Sequence, residues 1–272
     1  MNKLEKALQK ARQERSENLT AVANDYILRP IETGNKLSDI VLPHARRVLQ
    51  LKEDTLERRR ILAHRTRNRK ADIFRMLRTQ ILQVMEQAGY STLAITSPHY
   101  GDGKTTVAMN LAVSMAQDPK RTVLLADLDL RKPGVTSYLG IGTALGISDH
   151  LMDGRPIQDC MLRTSFDRLS ILPSGKAVDN SSEILGSVKM AALANELKSR
   201  YRERIVIYDM PPILAQDDPI ALLPSVDAVL LIVNEGVTKV DDIRRSMHAL
   251  SRANVIGTVL NDSGKRTVFG RA

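Results

Sequence analysis

The sequence predicts an α/β fold in which a doubly wound, mainly parallel β-sheet carries helices on both faces. Short aliphatic runs alternate along the chain with longer stretches of helical periodicity, as they do in parallel βαβ units. Hydrophobic residues make up 43% of the chain but aromatic residues only 3%, so the core must be built from aliphatic side chains. Aliphatic strands of this kind suit a parallel sheet that is covered on both faces.

The order of the predicted elements supports this fold. The strands cover residues 92–96, 122–127, 169–173, 205–209, 228–233 and 255–260. One helix is predicted before the first strand, over about 71–88, and others between the strands, over about 104–117, 183–201 and 239–252. Doubly wound sheets bind their ligands at the carboxyl ends of the strands, and the chemically distinctive residues of this chain fall there.

The basic charge of the chain is concentrated in its first quarter. Residues 1–70 contain 17 Lys and Arg against 9 Asp and Glu, whereas residues 71–272 contain 23 against 22. This division predicts a basic, largely helical N-terminal extension and linker, attached to a nearly neutral globular domain. Within the extension we expect an amphipathic helix over 2–19 and an extended linker over 20–44.

The sequence of the extension does not decide which kind of partner it binds. Residues 45–70 hold many arginines but no interleaved aromatic residue for base stacking, which argues against nucleic acid as a ligand. A solvated helix, anionic lipid or an acidic partner fits this composition better. The helix over 2–19 is either a docking helix for a partner or a membrane surface, or a solvated tail.

Several protein classes are excluded by composition. Cys160 is the only cysteine, so neither a disulfide framework nor a cysteine metal site is expected, and a reducing compartment is the natural location. No segment approaches ~18 uninterrupted apolar residues. The segment from Met1 to Lys10 lacks the apolar stretch of a secretory signal. We therefore expect a cytoplasmic protein.

The first chemical motif follows one predicted strand and precedes a helix. It differs from the strict G-x-x-x-x-G-K-[ST] pattern by Pro98 in place of the first glycine. Glycines let backbone amides approach phosphate, Lys104 supplies positive charge to the outer phosphates, and Thr105 offers a hydroxyl to Mg²⁺. The sequence therefore predicts a P-loop, with nucleotide contacts from Gly101, Asp102, Gly103, Lys104, Thr105 and Thr106.

Acidic residues follow two further strands. Asp127 and Asp129 come after one strand, where two carboxylates can face one cation or accept a proton. The alternative for this pair is a helix cap or a turn acid paired with Arg131. Asp209 ends another strand in the Walker B arrangement, in which the acid holds Mg²⁺ or its water. The predicted metal ligands are Thr105, Asp129 and Asp209.

Together these motifs resemble the bacterial tyrosine kinases of polysaccharide export systems, over about residues 70–262. That family combines a Walker A loop, a D-x-D-L-R-[KR]-P segment and a Walker B strand ending in D-x-P-P. Here these are Gly101 to Thr105, Asp127 to Pro133 and Asp209 to Pro212. The resemblance implies a non-specific protein-tyrosine kinase that uses ATP and Mg²⁺ and regulates exopolysaccharide or capsule chain length.

The resemblance also implies a role for each site residue. It implies that Lys104 stabilises the transferring phosphoryl group and that Asp127 acts as a base or metal-associated acid for a tyrosine hydroxyl. Asp129 and Asp209 would assist Mg²⁺. Asn261 falls where the family places adenine contacts.

The partner implied by the family is a membrane polysaccharide co-polymerase, a chain-length regulator whose cytoplasmic end activates the kinase. A free-standing chain resembles the split, CpsD- or EpsG-like members, which implies a location at the inner face of the plasma membrane through that partner. The alternative route to the membrane is direct contact through the basic N-terminal arm. The segment Asp72-x-x-Arg75-x-x-Arg78 resembles the E-x-x-R-x-x-R helix through which family members form rings, with Asp in place of Glu. It implies a homo-oligomer formed through the helix over 72–78, the alternative being an ordinary surface helix.

One departure from the family concerns its phosphorylated tail. Family kinases usually autophosphorylate a cluster of C-terminal tyrosines, but the last tyrosine of this chain is Tyr208. The expected target is therefore an isolated tyrosine such as Tyr26, or a site on another molecule.

Two other functions compete with the kinase hypothesis. ParA- and MinD-type ATPases share the fold but carry a signature lysine at the position of His99, and their acidic segment reads D-x-D-P-Q. Both differences favour the kinase. The second alternative is an ATP-gated scaffold without tyrosine phosphorylation, which the missing tyrosine tail supports.

Overall fold

A computed structural model describes residues 48–201 and 203–262. Its strands are β1 Val48–Leu49, β2 Thr92–Thr96, β3 Thr122–Asp127, β4 Leu162–Thr164, β5 Leu169–Leu172, β6 Arg204–Asp209, β7 Ala228–Asn234 and β8 Val255–Asn261. They form one eight-stranded sheet in the order β1-β4-β5-β3-β6-β2-β7-β8. Only the pairing of β4 with β5 is antiparallel. The six predicted strands are all present to within one residue at each end, and the mainly parallel sheet is confirmed.

Helices cover both faces of this sheet. They are α1 Glu53–Arg58, α2 Arg69–Ala88, α3 Lys104–Ala116, α4 Val135–Leu139, α5 Ile147–Asp153, α6 Ile157–Cys160, α7 Ser181–Leu185, α8 Val188–Ser199, α9 Asp218–Leu222 and α10 Val240–Ala249. Along β3, Val123 and Leu125 pack into the core formed with α2 and α3, and Leu124 packs into the core formed with α8. Because such strands are buried on both faces, they read as continuous aliphatic runs.

The helix predicted over 183–201 is two helices, α7 and α8, and the single long helix was wrong. The break falls at Gly186 and Ser187. The side chain of Ser187 accepts a hydrogen bond from the N–H of Met190 at 3.1 Å, which makes it the N-cap of α8. A serine that follows a glycine inside an apolar pattern was the signal for this boundary.

The described part of the N-terminal extension packs against the sheet domain. Leu56, Ile61 and Ala63 are buried in the core beneath α2 and α3. Helical structure within 48–70 is limited to α1 and the start of α2. The predicted boundary at residue 70 therefore falls after the first residues of the core. The predicted helix over 2–19 and the linker over 20–44 lie outside the described residues.

Asn110, in the middle of α3, attaches this segment to the domain. Its Oδ1 accepts hydrogen bonds from the N–H groups of Leu62 and Ala63 at 2.8 and 3.1 Å. Its Nδ2 donates to the carbonyl groups of Arg60 and Thr106, both at 2.9 Å. The side chain is fully buried, so its polar atoms are all satisfied by the chain around it.

Replacing Asn110 by leucine should lower the free energy of unfolding by about 2–4 kcal/mol, because several buried backbone groups lose their partner. Urea unfolding followed by circular dichroism measures the change. The control is Asn195→Leu on the exposed side of α8, which should change stability by less than about 0.5 kcal/mol. Equal effects of the two substitutions would show that Asn110 does not attach the segment.

No helix within residues 48–201 and 203–262 is both long enough and apolar enough to cross a bilayer.

Candidate active site

Three neighbouring strands bring the predicted motifs to one edge of the sheet. The strands β3, β6 and β2 are adjacent. Asp127 at the end of β3 is the register partner of Asp209 at the end of β6, and Asp209 is the partner of Ile95 in β2. The phosphate loop leaves β2 one residue after Ile95. The loop and the acidic residues therefore meet at the carboxyl ends of the strands, where doubly wound sheets bind ligands.

The backbone of the loop requires glycine at two positions. Gly101 and Gly103 have φ values of 88° and 90°, which lie in the left-handed region that favours glycine. Gly103 is the N-cap of α3, and a Cβ atom there would lie 2.0 Å from Nδ2 of Asn261. The N–H groups at the start of this 13-residue helix are positioned as in loops that bind phosphate.

The side chains of Asp102 and Asn261 brace the loop. Asp102 is buried, and its carboxylate accepts hydrogen bonds from the N–H of His99 at 2.8 Å and the hydroxyl of Thr238 at 3.4 Å. Nδ2 of Asn261 donates to the carbonyl of Asp102 at 2.9 Å. Both were predicted as nucleotide contacts, and both side chains hold the shape of the loop. Thr106 lies in the first turn of α3.

Lys104 lies between two buried carboxylates. Its Nζ is 3.6 Å from Oδ2 of Asp129 and 3.9 Å from Oδ1 of Asp209. Burial works against the charge of Lys104, but the carboxylates of Asp209 and Asp129 outweigh it and raise the pKa of the ammonium group. Burial likewise raises the pKa of Asp129 and of Asp209, and the charge of Lys104 opposes that rise.

Thr105 and the two carboxylates form a set of oxygens suited to Mg²⁺. The hydroxyl of Thr105 donates to Oδ2 of Asp209 at 2.6 Å. The other oxygen of Asp209 and Oδ2 of Asp129 are buried without a hydrogen-bond partner among the described residues. No group of three or more His, Cys, Asp or Glu in that part of the chain could hold a metal alone. The set therefore fits Mg²⁺, which commonly keeps waters and substrate phosphates among its ligands.

Asp127 is buried and makes three hydrogen bonds to backbone N–H groups. Oδ1 accepts from Asp129 at 3.1 Å, and Oδ2 accepts from Gly134 and Val135 at 2.9 and 2.8 Å. Burial, with the negative charge of Asp209, raises the pKa of Asp127 to about 7. A carboxyl group with this pKa is suited to accept a proton near neutral pH.

Arg131 does not pair with the acidic residues of its own motif. Its Nε donates to the hydroxyl of Ser181 at 2.7 Å, and its guanidinium lies 3.6 Å from carboxylate oxygens of Asp217 and Asp218. The turn-acid alternative, which paired Arg131 with Asp127 or Asp129, is therefore not the arrangement found.

Comparison with known proteins identifies the family. Residues 90–253 match a family model described as an AAA domain. Tyrosine-protein kinase YwqD of Bacillus subtilis (strain 168) is 33% identical over 190 residues, which are 69% of this chain and 79% of that protein. The chain belongs to the bacterial tyrosine-protein kinase family.

Other members of the kinase family support this assignment and differ in length. Tyrosine-protein kinase Wzc of Salmonella typhi is 32% identical over 197 residues, which are 72% of this chain but 27% of Wzc. Among solved structures, the kinase domain of the Escherichia coli tyrosine kinase ETK has a TM-score of 0.68 and 27% identity, over 84% of this chain and 92% of that one. The chimerical protein CapA2B2 has a TM-score of 0.69 and 28% identity, over 82% and 95%.

The MinD-type alternative is a more distant neighbour than the kinase family. The septum site-determining protein MinD of Pyrococcus horikoshii OT3, solved with Mg-ADP, has a TM-score of 0.53 and 25% identity. It covers 65% of this chain, and this chain covers 72% of it. The P-loop nucleotide-binding fold is therefore confirmed, and the kinase interpretation is preferred to the partition-type ATPase.

The helix-cap alternative holds for Asp127, because the N–H groups of Gly134 and Val135 at the start of α4 donate to its carboxylate. Two further contacts in this kinase site were not predicted. Gln216 contacts the hydroxyl of Tyr100, and Thr238 contacts Asp102. These two lie outside the motifs, and no sequence spacing indicated them.

Proposed function

We propose that this chain is an ATP-dependent protein-tyrosine kinase, of the autokinase type, that regulates exopolysaccharide or capsule synthesis and chain length. The observation that carries the proposal is the convergence of Lys104 with three buried carboxylates at the end of a phosphate loop. The kinase names of the relatives support the reaction.

Each residue of the site has a proposed part in binding ATP and Mg²⁺. The amides of the loop and the ammonium of Lys104 hold the outer phosphates. Thr105, Asp129 and Asp209 hold Mg²⁺, which when bound offsets the charge of the phosphate oxygens. Asn261 fixes the loop from the end of β8 and also stands as a proposed adenine contact. Asp102 and Thr106 complete the proposed nucleotide contacts.

Asp127 is the proposed base for transfer. A carboxylate offers about four lone-pair positions, of which Asp127 uses three for backbone N–H groups, so one remains on Oδ1. The tyrosine hydroxyl gives its proton to this oxygen as the phenolic oxygen bonds to the γ-phosphorus. The bond from that phosphorus to the β–γ bridging oxygen breaks, and ADP leaves. Lys104 stabilises the charge on the transferring group.

The proposed acceptor is an isolated tyrosine or a tyrosine of another molecule. Tyr208 is fully buried in β6 and is therefore excluded as an accessible target. Tyr26, the isolated site named from the sequence, lies outside the described residues.

The proposed partner is a membrane polysaccharide co-polymerase, which would hold the chain at the cytoplasmic face of the plasma membrane. Much longer relatives such as Wzc, of which this chain matches 27%, support a system in which the kinase part works with further segments. Direct membrane contact by the basic N-terminal arm belongs to the same proposal. A homo-oligomer through residues 72–78 is supported by the 59% and 66% exposure of Ile73 and Met76 on α2. Arg75 and Arg78 meanwhile donate to carbonyl groups of their own chain.

The test is to incubate the full chain with ATP, Mg²⁺ and the cytoplasmic segment of the partner, and to locate phosphotyrosine by mass spectrometry. We expect Asp127→Asn to reduce phosphotyrosine at least about 100-fold, because the base is lost. The control is Asp54→Asn, an exposed acid of α1, which should leave the yield unchanged. ADP release without any phosphotyrosine would contradict the kinase and favour the ATP-gated scaffold or a partition-type ATPase.

The pH dependence gives a second readout for Asp127. A base acts when ionised, so kcat/KM should rise about tenfold per pH unit on the acid side. It should level off above the pKa of about 7. If the pH profile of Asp54→Asn shows this rise in kcat/KM and the profile of Asp127→Asn lacks it, Asp127 is the base. A step retained in both variants would exclude Asp127.

A further inference from the structure

Tyr100 connects the three motifs of the site, although the proposed transfer does not use it. It belongs to the phosphate loop, and its side chain is 40% exposed. Nζ of Lys132 lies 4.6 Å from the centroid of its ring, and Nε2 of Gln216 donates a hydrogen bond to its hydroxyl. Lys132 belongs to the segment after Asp129, and Gln216 to the turn after Asp209. The ring therefore reaches from the loop to the first acidic motif and to the turn that follows the second.

The two partners of Tyr100 are themselves fixed to the site. The N–H of Lys132 donates to Oδ1 of Asp129 at 3.0 Å, and the N–H of Gln216 donates to the carbonyl of Pro212 at 3.3 Å. The ring is thus held on its face by a cation and at its hydroxyl by an amide. Burial raises the pKa of the phenol, and Asp129 adds to the rise, so the side chain stays neutral.

A kinase must keep water away from the phosphoryl group that it transfers. Water and a tyrosine hydroxyl compete for the same phosphorus, and apolar surface over the reacting groups lowers the access of water. Aromatic residues make up only 3% of this chain, and Tyr208, the tyrosine of the Walker B strand, is buried within the sheet. Tyr100 is therefore placed to supply aromatic surface where the three motifs meet.

We infer that Tyr100 is a positioning residue that covers the phosphate-binding loop and favours transfer to tyrosine over transfer to water. The inference rests on the proposed function. It assigns to the ring, more than to the hydroxyl, the exclusion of water, and it assigns chiefly to Lys132, with Gln216 in support, the task of holding the ring in place.

The experiment measures phosphate release and phosphotyrosine formation in the same reaction of the full chain. In Tyr100→Ala, the ratio of phosphate released to phosphotyrosine formed should rise roughly tenfold, as a moderate change in relative barriers would give. Tyr100→Phe keeps the ring and should stay within about twofold of the unaltered protein. Lys132→Met, which removes the cation from the ring face, should shift the ratio in the direction of Tyr100→Ala. The matched control is Tyr201→Ala, a half-buried tyrosine that stacks on Arg204 beside the start of β6.

The outcomes distinguish a Tyr100 ring that keeps water away from the phosphoryl group from a ring that only shapes the loop. If hydrolysis and transfer fall together in Tyr100→Ala and the ratio stays unchanged, the cover is refuted. If the unaltered protein releases phosphate but forms no phosphotyrosine, the kinase proposal fails on its own. Two rates of Tyr100→Ala then test whether the ring covers the phosphate-binding loop. They are the rate of phosphate release and the rate at which a fluorescent ADP analogue dissociates. Both should rise severalfold, and unchanged rates would refute it.

Discussion

Replacing Lys104 by methionine is expected to lower kcat/KM for phosphotyrosine formation by about a thousandfold. In the unaltered protein, Nζ of Lys104 lies 3.6 Å from Asp129 and 3.9 Å from Asp209. The variant therefore leaves two buried carboxylates without their cation. Burial already raises the pKa of both acids, and loss of the neighbouring charge raises it further. The transferring phosphoryl group also loses the ammonium group that would stabilise its charge, which accounts for the expected fall in rate.

The measurement for Lys104→Met combines quantitative phosphotyrosine mass spectrometry with titration of a fluorescent ATP analogue. Affinity for the analogue should fall roughly 10- to 100-fold, the loss expected for a charge-assisted contact. Lys120→Met serves as the control, since this lysine is exposed beyond the end of α3. A Lys104→Met protein that phosphorylates tyrosine at the normal rate would remove the phosphate loop from the mechanism.

Asp209→Asn should lower the transfer rate by about 100- to 1000-fold and raise the Mg²⁺ concentration needed for half-maximal activity. The substitution keeps the size of the side chain but removes the negative charge. It also weakens the acceptor for the hydroxyl of Thr105, which lies 2.6 Å from Oδ2. Mg²⁺ titrations of the initial rate, at fixed ATP, separate the change in metal affinity from the change in rate.

The control for Asp209→Asn is Asp241→Asn, whose carboxyl group is 82% exposed on α10. It removes the same charge from an exposed side chain that pairs with Arg244 at 3.0 Å, and it should leave both parameters unchanged. If Asp209→Asn alters the rate but not the dependence on Mg²⁺, its proposed role as a metal ligand is wrong.

Most of the sheet and the meeting place of the motifs were predictable from the sequence. Buried parallel strands leave a continuous aliphatic run, so β2, β3 and β6 could be located closely. A parallel sheet places the ends of such strands at one edge, and this alone brought Asp127 and Asp209 together. The short strands β1 and β4 were not predicted, because a strand of two or three residues is too short to show a periodic pattern.

Contacts that depend on tertiary packing were not predictable. The charge count of residues 1–70 indicated an extension outside the sheet domain. Three apolar side chains of this segment are buried in the core, but three residues do not alter the composition of a basic segment, so nothing in the sequence indicated this packing. Asn110 reads as an ordinary helix residue, yet it binds four backbone groups of two separate segments. The contacts of Tyr100 with Lys132 and Gln216 depend on the paths of the two loops that carry these residues. The spacing of residues along the chain does not specify those paths.

The bond from Asn261 to the carbonyl of Asp102 has a consequence for how the protein is made. The two residues are separated by 159 positions along the chain. At a synthesis rate of about 5–20 residues per second, the strand that braces the loop is translated roughly 8–30 s after the loop itself. The nascent chain therefore carries the phosphate loop without its brace during that interval. Competence to bind nucleotide should accordingly arise late in biogenesis, after β8 has left the ribosome and joined the edge of the sheet.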